Sequence, residues 1–479
     1  MESPASYRDK RIVVLGLAKS GVSVAKLFHK LGAQVTVNDN KDRQLCPEAD
    51  ELDALGVSVI CGGHPEGLIT KETALVVKNP GIPYSVEPVR QALELGIEVV
   101  TEVEVAYLLS PAPIIGITGS NGKTTTTTWI GEMLEAANMQ PIVAGNIGTP
   151  LCEAAQSAEE DNWIVAELSS FQLKGTTQFQ PKVSLLLNVV ETHLDYHGGM
   201  DDYIASKAKL FANQASEDWA VLNADDPVCR HIIEEGNIKA QIIPFSITQT
   251  LTYGVFIEPP FPEDLAAPAD SAAERMIVHR DRDGIAHPIL PVYELGIPGR
   301  HNAANALAAI AGCLAAGAEL QLLLKPLREF RGVEHRLELA GEYKGVAYYN
   351  NSKATNSAAT IIALRSFPGR IVLIAGGLDR GSDYLELLPH FRDQVKAVVL
   401  LGETRSKLAH VAELAGLTTV IIVEPEKDAE ATLHRAVREA ASIAEPGDIV
   451  LLSPACASWD MFKSYEQRGR MFKQSAHTL

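Results

Sequence analysis

The chain has 479 residues, 46% of them apolar and 21% charged, and 42 Lys plus Arg stand against 60 Asp plus Glu for a formal net charge of −18. At about 150 residues per domain this length predicts roughly three domains, and the acidic balance excludes a nucleic-acid binder, whose affinity comes from a basic surface. No apolar run nears the ~20 residues that span a bilayer, and the six cysteines form no C-x-x-C pair or zinc spacing, so a cytoplasmic protein with reduced thiols is expected.

In chain order, RIVVLG (11–16) predicts a buried strand, VSVAKLFHKLG a helix and QVTVND a second strand. The turn VVLGLAKSG (13–21) is close to G-x-G-x-x-G, but Ala18 stands where a middle glycine would let backbone approach a pyrophosphate. Asp39 follows about 20 residues on, as a ribose-binding acid does. A nicotinamide dehydrogenase is the rival this fragment invites, yet no constellation for hydride transfer follows it. ALVVKNPGIP (74–83) predicts another strand and a turn carrying Asn79, and a helix is expected around 101–109.

The second block opens with IIGIT as a buried strand, GSNG as a turn and KTTTTTWIGEMLEAA as a helix with Trp129, Ile130, Met133 and Leu134 on one side. The common phosphate loop, G-x-x-x-x-G-K-[ST], would put its first glycine at 117, which is Ile117; the glycines here are Gly116, Gly119 and Gly122. Strand, glycine turn and Lys-Thr at a helix start still aim backbone N–H groups and the positive helix end at phosphate. Lys123 is placed to reach the β- and γ-phosphates and the Thr124 hydroxyl to sit on Mg²⁺.

WIVAEL ends in Glu167, a carboxylate that is costly to bury unless it meets a cation. VSLLLNVV leads into ETHLDYHGG with His193, and YIASKAKLF (203–211) predicts a helix with Tyr203 and Lys207 on one face. WAVLNADD (219–226) predicts a further strand. Residues 254–290 read as a β-hairpin excursion carrying a flexible loop, and an Ala-rich helix follows over 302–318. There Asn302 reads as an N-cap, and Asn305 lies one turn from His301.

The third block starts near Val333, with YKGVAYYNN, RIVLIAGG, VKAVVLLGE, TTVIIVE and GDIVLLSPA as strands separated by helical segments. Alternation of this kind predicts a mainly parallel sheet. AGGLDRGSDY (375–384) and LLSPACASWDMFKSYEQRG (451–469) follow apolar strands, so their polar residues fall at carboxyl ends of the sheet, where open α/β folds bind ligands. The expected fold is three-domain α/β: a Rossmann-like domain over 1–107, a central P-loop-type ATPase domain with a mainly parallel sheet over 108–332, and a Rossmann-like C-terminal domain over 333–479.

TGSNGKTT (118–125) resembles the ATP loop of the Mur ligase superfamily, which joins amino acids to a UDP-linked muramyl precursor and includes the folylpolyglutamate synthetases. That resemblance implies that Gly119, Ser120, Asn121, Gly122, Lys123, Thr124 and Thr125 hold ATP. It implies that Thr124 and Glu167 hold the ATP-linked Mg²⁺, that His193 helps bind a second Mg²⁺, and that Lys207 occupies the family's carbamylated-lysine position. Asn302 and Asn305 are implied at adenine, Arg336 in FRGVEHRLE at the γ-phosphate and Lys353 at the nucleotide. Asn351 in YNNSKATN stands where the family usually has an Asp at the ribose. Leu17, Ala18, Asp39 and Asn79 are implied at the UDP moiety, with Asn146 and Gly148 of AGNIGTPL facing the substrate. The same resemblance implies catalytic roles for Lys123, Lys207, His193 and Arg336.

The segment around Ser458 resembles the branch of the family that adds D-glutamate to UDP-N-acetylmuramoyl-L-alanine. On that resemblance Thr355, Arg380, Ser458 and Tyr465 line the amino-acid site, with Arg380 where some members have Lys and Tyr465 where many have Phe. The D-N-P-R motif of diamino-acid adders is absent, and a folylpolyglutamate synthetase gives no reason for the first domain. The implied protein is a monomeric, ATP- and Mg²⁺-dependent ligase with neither nucleic acid nor membrane as partner.

Overall fold

The strand Arg11–Leu15, buried from Ile12 onward, centres a five-stranded parallel sheet in the computed structural model, which describes residues 1–262 and 274–479. Across that sheet the strands run Ser58–Cys61, Gln34–Asp39, Arg11–Leu15, Thr73–Lys78 and Val99–Val100. The chain order reverses between Arg11–Leu15 and Thr73–Lys78, and a reversal of this kind opens a crevice at the strands' carboxyl ends.

The second sheet has nine strands, in the order Ala286–Pro291, Met276–Arg280, Gly254–Glu258, Gln241–Ser246, Trp219–Asn223, Val183–Leu186, Ile114–Thr118, Trp163–Glu167 and Pro141–Gly145. It is parallel from Pro141–Gly145 to Gly254–Glu258, and the pairing of Gly254–Glu258 with Met276–Arg280 is antiparallel. The expected hairpin is therefore present; residues 263–273 of its expected loop lie outside the described residues. The helix Lys123–Ala136 follows the strand Ile114–Thr118, third from one edge of this sheet, and buries Trp129, Ile130, Met133 and Leu134 completely, as the sequence predicts.

A third, six-stranded sheet runs Glu338–Tyr343, Val346–Asn350, Ile449–Leu452, Ile371–Ala375, Val395–Leu400 and Val420–Ile422. Only its first pair is antiparallel. By packing, the chain divides into two units: the first two sheets share one, built chiefly of Met1–Phe261, and the third sheet lies in the other, with Arg328–Leu479. Among the described residues no helix is long and apolar enough to cross a membrane.

The strand Glu338–Tyr343 is not among the expected elements; it lies at the sheet edge with mostly half-buried side chains and so lacks an apolar signature. Asn302 is not an N-cap, because the helix begins at Arg300, directly after Gly299 at φ +104°. Asn302 sits in the first turn and donates its side-chain N–H to Pro298 O at 2.6 Å.

Candidate active site

The phosphate-type loop emerges from the buried strand Ile114–Thr118 and closes on Gly122, whose φ of +83° favours glycine. A side chain is barred there for a second reason: a Cβ would stand 2.3 Å from Asn305 Oδ1. Glycine at 122 thus brings the Asn305 amide against the loop, which places two of the sequence-derived ATP residues together. Asn188 braces the other side, its backbone oxygen accepting from Ser120 N at 2.9 Å and its Oδ1 from Asn121 N at 2.8 Å. Ser120 Oγ lies 2.9 Å from Tyr203 OH and donates to Val190 O at 3.0 Å. Lys123 Nζ folds back on the loop, donating to Gly119 O at 2.8 Å and Ser120 O at 3.1 Å.

Around this loop the proposed metal residues converge. Thr124 is buried in the helix's first turn, and Glu167 is buried at the end of the neighbouring strand, paired with Ile117 in register. Lys207 is buried over the Tyr203 ring, 4.7 Å from its centroid, and donates to Gly119 O at 2.9 Å. Burial, reinforced by the Lys123 charge, lowers its pKa to about 7. His193 sits at φ +57° ahead of the short helix Leu194–His197; burial lowers its pKa, opposed by Asp195 and aided by the charges of Lys123 and Lys207.

Whether these residues suit Mg²⁺ can be judged from Glu167. Its Oε1 accepts from Asn146 Nδ2 at 2.9 Å, while its Oε2 is buried with no hydrogen-bond partner. A buried carboxylate oxygen without a donor is a cation ligand in waiting. Among the described residues no three His, Cys, Asp or Glu side chains gather.

At the switch point of the first sheet, Leu17, Asp39 and Asn79 meet. Leu17 N donates to Asp39 Oδ2 at 2.8 Å, and Lys41 N to its Oδ1 at 2.9 Å. Ser20 Oγ donates to Asn79 Oδ1 at 2.6 Å, and a Cβ on Gly16 would stand 2.5 Å from Asn79 Nδ2. Ala18 precedes the helix Lys19–Lys30, whose N-terminus faces the same crevice. Asn146, which the resemblance implies at the substrate, donates its side-chain N–H to Glu167 Oε1 at 2.9 Å.

The second unit gathers its own polar loops. Asn351 is buried with both ends of its amide engaged: Oδ1 accepts from Leu337 N at 3.2 Å and Nδ2 donates to Ser453 Oγ at 3.1 Å. It thereby pins the turn that carries Arg336. Lys353 Nζ lies 5.4 Å above the Tyr465 ring, and Thr355 N donates to Lys353 O. Ser458 is buried, its carbonyl accepting from Met461 N and Phe462 N. Arg380 lies 5.1 Å over the indole of Trp459.

Two positioning groups escaped sequence reasoning. Arg468, buried, donates from Nε to Ser352 Oγ at 3.0 Å and from Nη2 to Ser352 O and Cys456 O at 2.9 and 3.2 Å. It ties the loop bearing Asn351 and Lys353 to the loop bearing Ser458. Lys78, also buried, donates to Pro80 O at 3.0 Å, Ile82 O at 2.9 Å and Tyr196 OH at 3.3 Å. It gathers the turn after Asn79 and ties it to the segment that carries His193. A lysine ending an apolar strand was the available signal.

Comparison with known proteins agrees with this geometry. Family models match residues 10–101 as the Mur ligase MurD-like N-terminal domain, 117–313 as the Mur ligase middle domain and 335–456 as the Mur ligase glutamate ligase domain. The chain belongs to the Mur ligase family. It is 47% identical over 480 residues to the UDP-N-acetylmuramoylalanine–D-glutamate ligase of Geobacillus sp. (strain WCH70), with all of both chains covered. It is 46% identical over 470 residues to the ligase of that name from Shouchella clausii, covering 98% of this chain and 97% of that one. Among solved structures, MurF from Acinetobacter baumannii shares the fold at TM-score 0.59 and 17% identity, over 93% of this chain and 90% of that one. The UDP-N-acetylmuramate–alanine ligase MurC from Thermotoga maritima does so at 0.57 and 19%, over 98% and 99%.

Proposed function

We propose that this chain is the ATP-dependent, amide-forming ligase that adds D-glutamate to UDP-N-acetylmuramoyl-L-alanine in peptidoglycan precursor synthesis, acting as a cytoplasmic monomer. The observation that carries the reading is the glycine-tight ATP loop beside a buried Glu167 with one unpartnered oxygen, in a chain whose full-length relatives bear that ligase name. We assign residues 1–107 to the UDP substrate, 108–332 to ATP and 333–479 to the amino acid.

In the reaction the substrate's L-alanyl carboxylate oxygen attacks the γ-phosphorus of ATP, the bond to the β–γ bridging oxygen breaks, and ADP leaves. The D-glutamate amine then attacks the acyl carbon, loses a proton, and the tetrahedral adduct expels phosphate to leave an amide. Lys123 and Arg336 stabilise the charge that moves during phosphoryl transfer. Gly119, Ser120, Asn121, Gly122, Thr124 and Thr125 cradle the phosphates; Asn302, Asn305, Asn351 and Lys353 hold the rest of the nucleotide. Leu17, Ala18, Asp39 and Asn79 seat the UDP moiety, and Thr355, Arg380, Ser458 and Tyr465 the D-glutamate.

Mg²⁺ held by Thr124 and Glu167, with His193 and Lys207 at a second position, supplies neutralisation of phosphate charge. The lowered pKa of Lys207 supports the family's carbamate at that residue, since only a neutral amine takes up CO₂. Asn146 joins Leu17, Ala18, Asp39 and Asn79 at the UDP-linked substrate and also braces Glu167.

The test is ADP release with Mg-ATP and UDP-N-acetylmuramoyl-L-alanine, comparing D-glutamate with L-glutamate, L-alanine, L-lysine and meso-diaminopimelate. Release with D-glutamate alone, and an amide product by mass, supports the reading; release with another amine moves the specificity, and silence throughout overturns it.

A further inference from the structure

Trp459 is 65% exposed, an unusual state for an indole, and nothing in the functional assignment accounts for it. Its neighbours in sequence are ordered: Ser458 is buried, and Asp460 Oδ2 accepts from Glu403 N at 3.3 Å. Against the indole lies the Arg380 guanidinium, 5.1 Å from the ring centroid. Among the described residues this stack is the only side-chain interaction of Arg380, and no carboxylate pairs with it.

The backbone on both sides is fixed. Arg380 and Trp459 lie on the loops that follow Ile371–Ala375 and Ile449–Leu452, neighbouring parallel strands in register. Leu378 N donates to Ala457 O at 2.9 Å, stitching the two loops together, and Gly376 N does the same to Pro454 O. Asp379, beside Arg380, is held by Lys407 Nζ at 2.8 Å and accepts from Gly381 N at 2.8 Å. With the backbone held, the remaining freedom of Arg380 is its own long side chain, and the indole face restricts it.

A guanidinium held over a ring face by its charge spends no N–H group on that contact, so its donor fork stays available to grip a carboxylate with two parallel hydrogen bonds. Lysine, with a rotating ammonium, would gain less from such a platform. We infer that Trp459 is a positioning residue for the ligase reaction: its exposed indole orients Arg380 to receive a carboxylate of the incoming dicarboxylic amino acid. The inference rests on the D-glutamate reading proposed above.

A double-mutant cycle on the full chain tests it, using Trp459→Ala, Trp459→Phe and Arg380→Ala. D-Glutamate-dependent ADP release by the parent chain is measured first; its absence counts against the functional reading and leaves the stacking role to be judged on whichever amino acid the parent accepts. Trp459→Ala should raise KM for that amino acid about two- to fivefold, the range of an exposed cation–π contact, with kcat and the KM for ATP unchanged. Trp459→Phe should restore most of the affinity. In the Arg380→Ala background, Trp459→Ala should add nothing. An undiminished effect in that background, an equal rise in KM for ATP, or an unchanged KM in Trp459→Ala would each overturn the inference. A purely structural role would move thermal stability and all three substrates together.

Discussion

Asn146 donates its side-chain N–H to Glu167 Oε1 at 2.9 Å, and the other oxygen of the same carboxylate is buried without a partner. The pair orients one oxygen by protein and leaves the other open to the proposed cation. Loss of such a brace typically weakens metal binding by about 10–100-fold. Asn146→Ala should therefore raise the Mg²⁺ concentration for half-maximal activity by about tenfold or more, with much of the turnover restored at saturating Mg²⁺. An unchanged Mg²⁺ titration would remove Asn146 from the metal's support.

Lys123→Ala and Glu167→Ala remove the proposed phosphate cation and the proposed metal carboxylate themselves. Each should lower kcat by at least about 10²-fold, the scale for losing one preorganised charge-stabilising group. Near-normal turnover in either variant, with folding verified by circular dichroism, would break the site assignment.

Lys78→Met tests the turn beyond Asn79. The ammonium's bonds to Pro80 O, Ile82 O and Tyr196 OH are lost, while the side chain's length and burial are kept. Hydrogen bonds to a charged group contribute about 1.5–3 kcal/mol, so KM for the UDP substrate should rise about tenfold or more with KM for ATP little changed. Equal rises in both would mean general loosening instead.

Glu102 gives a prediction in pH. Its carboxyl is buried at the start of the helix Leu151–Ser157, where Oε1 accepts from Cys152 N at 2.9 Å, and burial raises its pKa to about 7. A carboxyl with a folded-state pKa above its unfolded value costs no stability below the unfolded pKa. The cost grows as pH rises from about 4.5 and is complete above about 7. Glu102→Gln keeps an acceptor for Cys152 N and removes the charge. It should be more stable than the parent at pH 8 by on the order of 1–3 kcal/mol, with the gap closing toward pH 4.5. A melting-temperature difference that is flat across this range would contradict the assignment.

Local order explains what the sequence disclosed. IIGIT, GSNG and KTTTTTW specify strand, turn and helix in one continuous run, so the ATP loop was legible without tertiary knowledge. The Asn146–Glu167 brace was not, because the register pairing of Gly145 with Glu167 in neighbouring parallel strands creates it. Lys78 read as the polar end of a strand, and its carbonyl ring arises only when the following turn folds back over it. Asn302 misled because its type favours an N-cap, whereas the positive φ of Gly299 sets the helix start earlier. Trp459 sits inside a legible motif, yet its exposure and its stack on Arg380 are properties of two packed loops.

The central claim is that the ATP loop delivers the γ-phosphate to a carboxylate. The direct measurement uses UDP-N-acetylmuramoyl-L-alanine with both carboxylate oxygens labelled as ¹⁸O, followed by mass analysis of phosphate and peptide after turnover with Mg-ATP and D-glutamate. One labelled oxygen in the released phosphate and one in the new amide is the predicted result. Unlabelled phosphate formed alongside amide would contradict the account, because the carboxylate oxygen would never have been bonded to phosphorus.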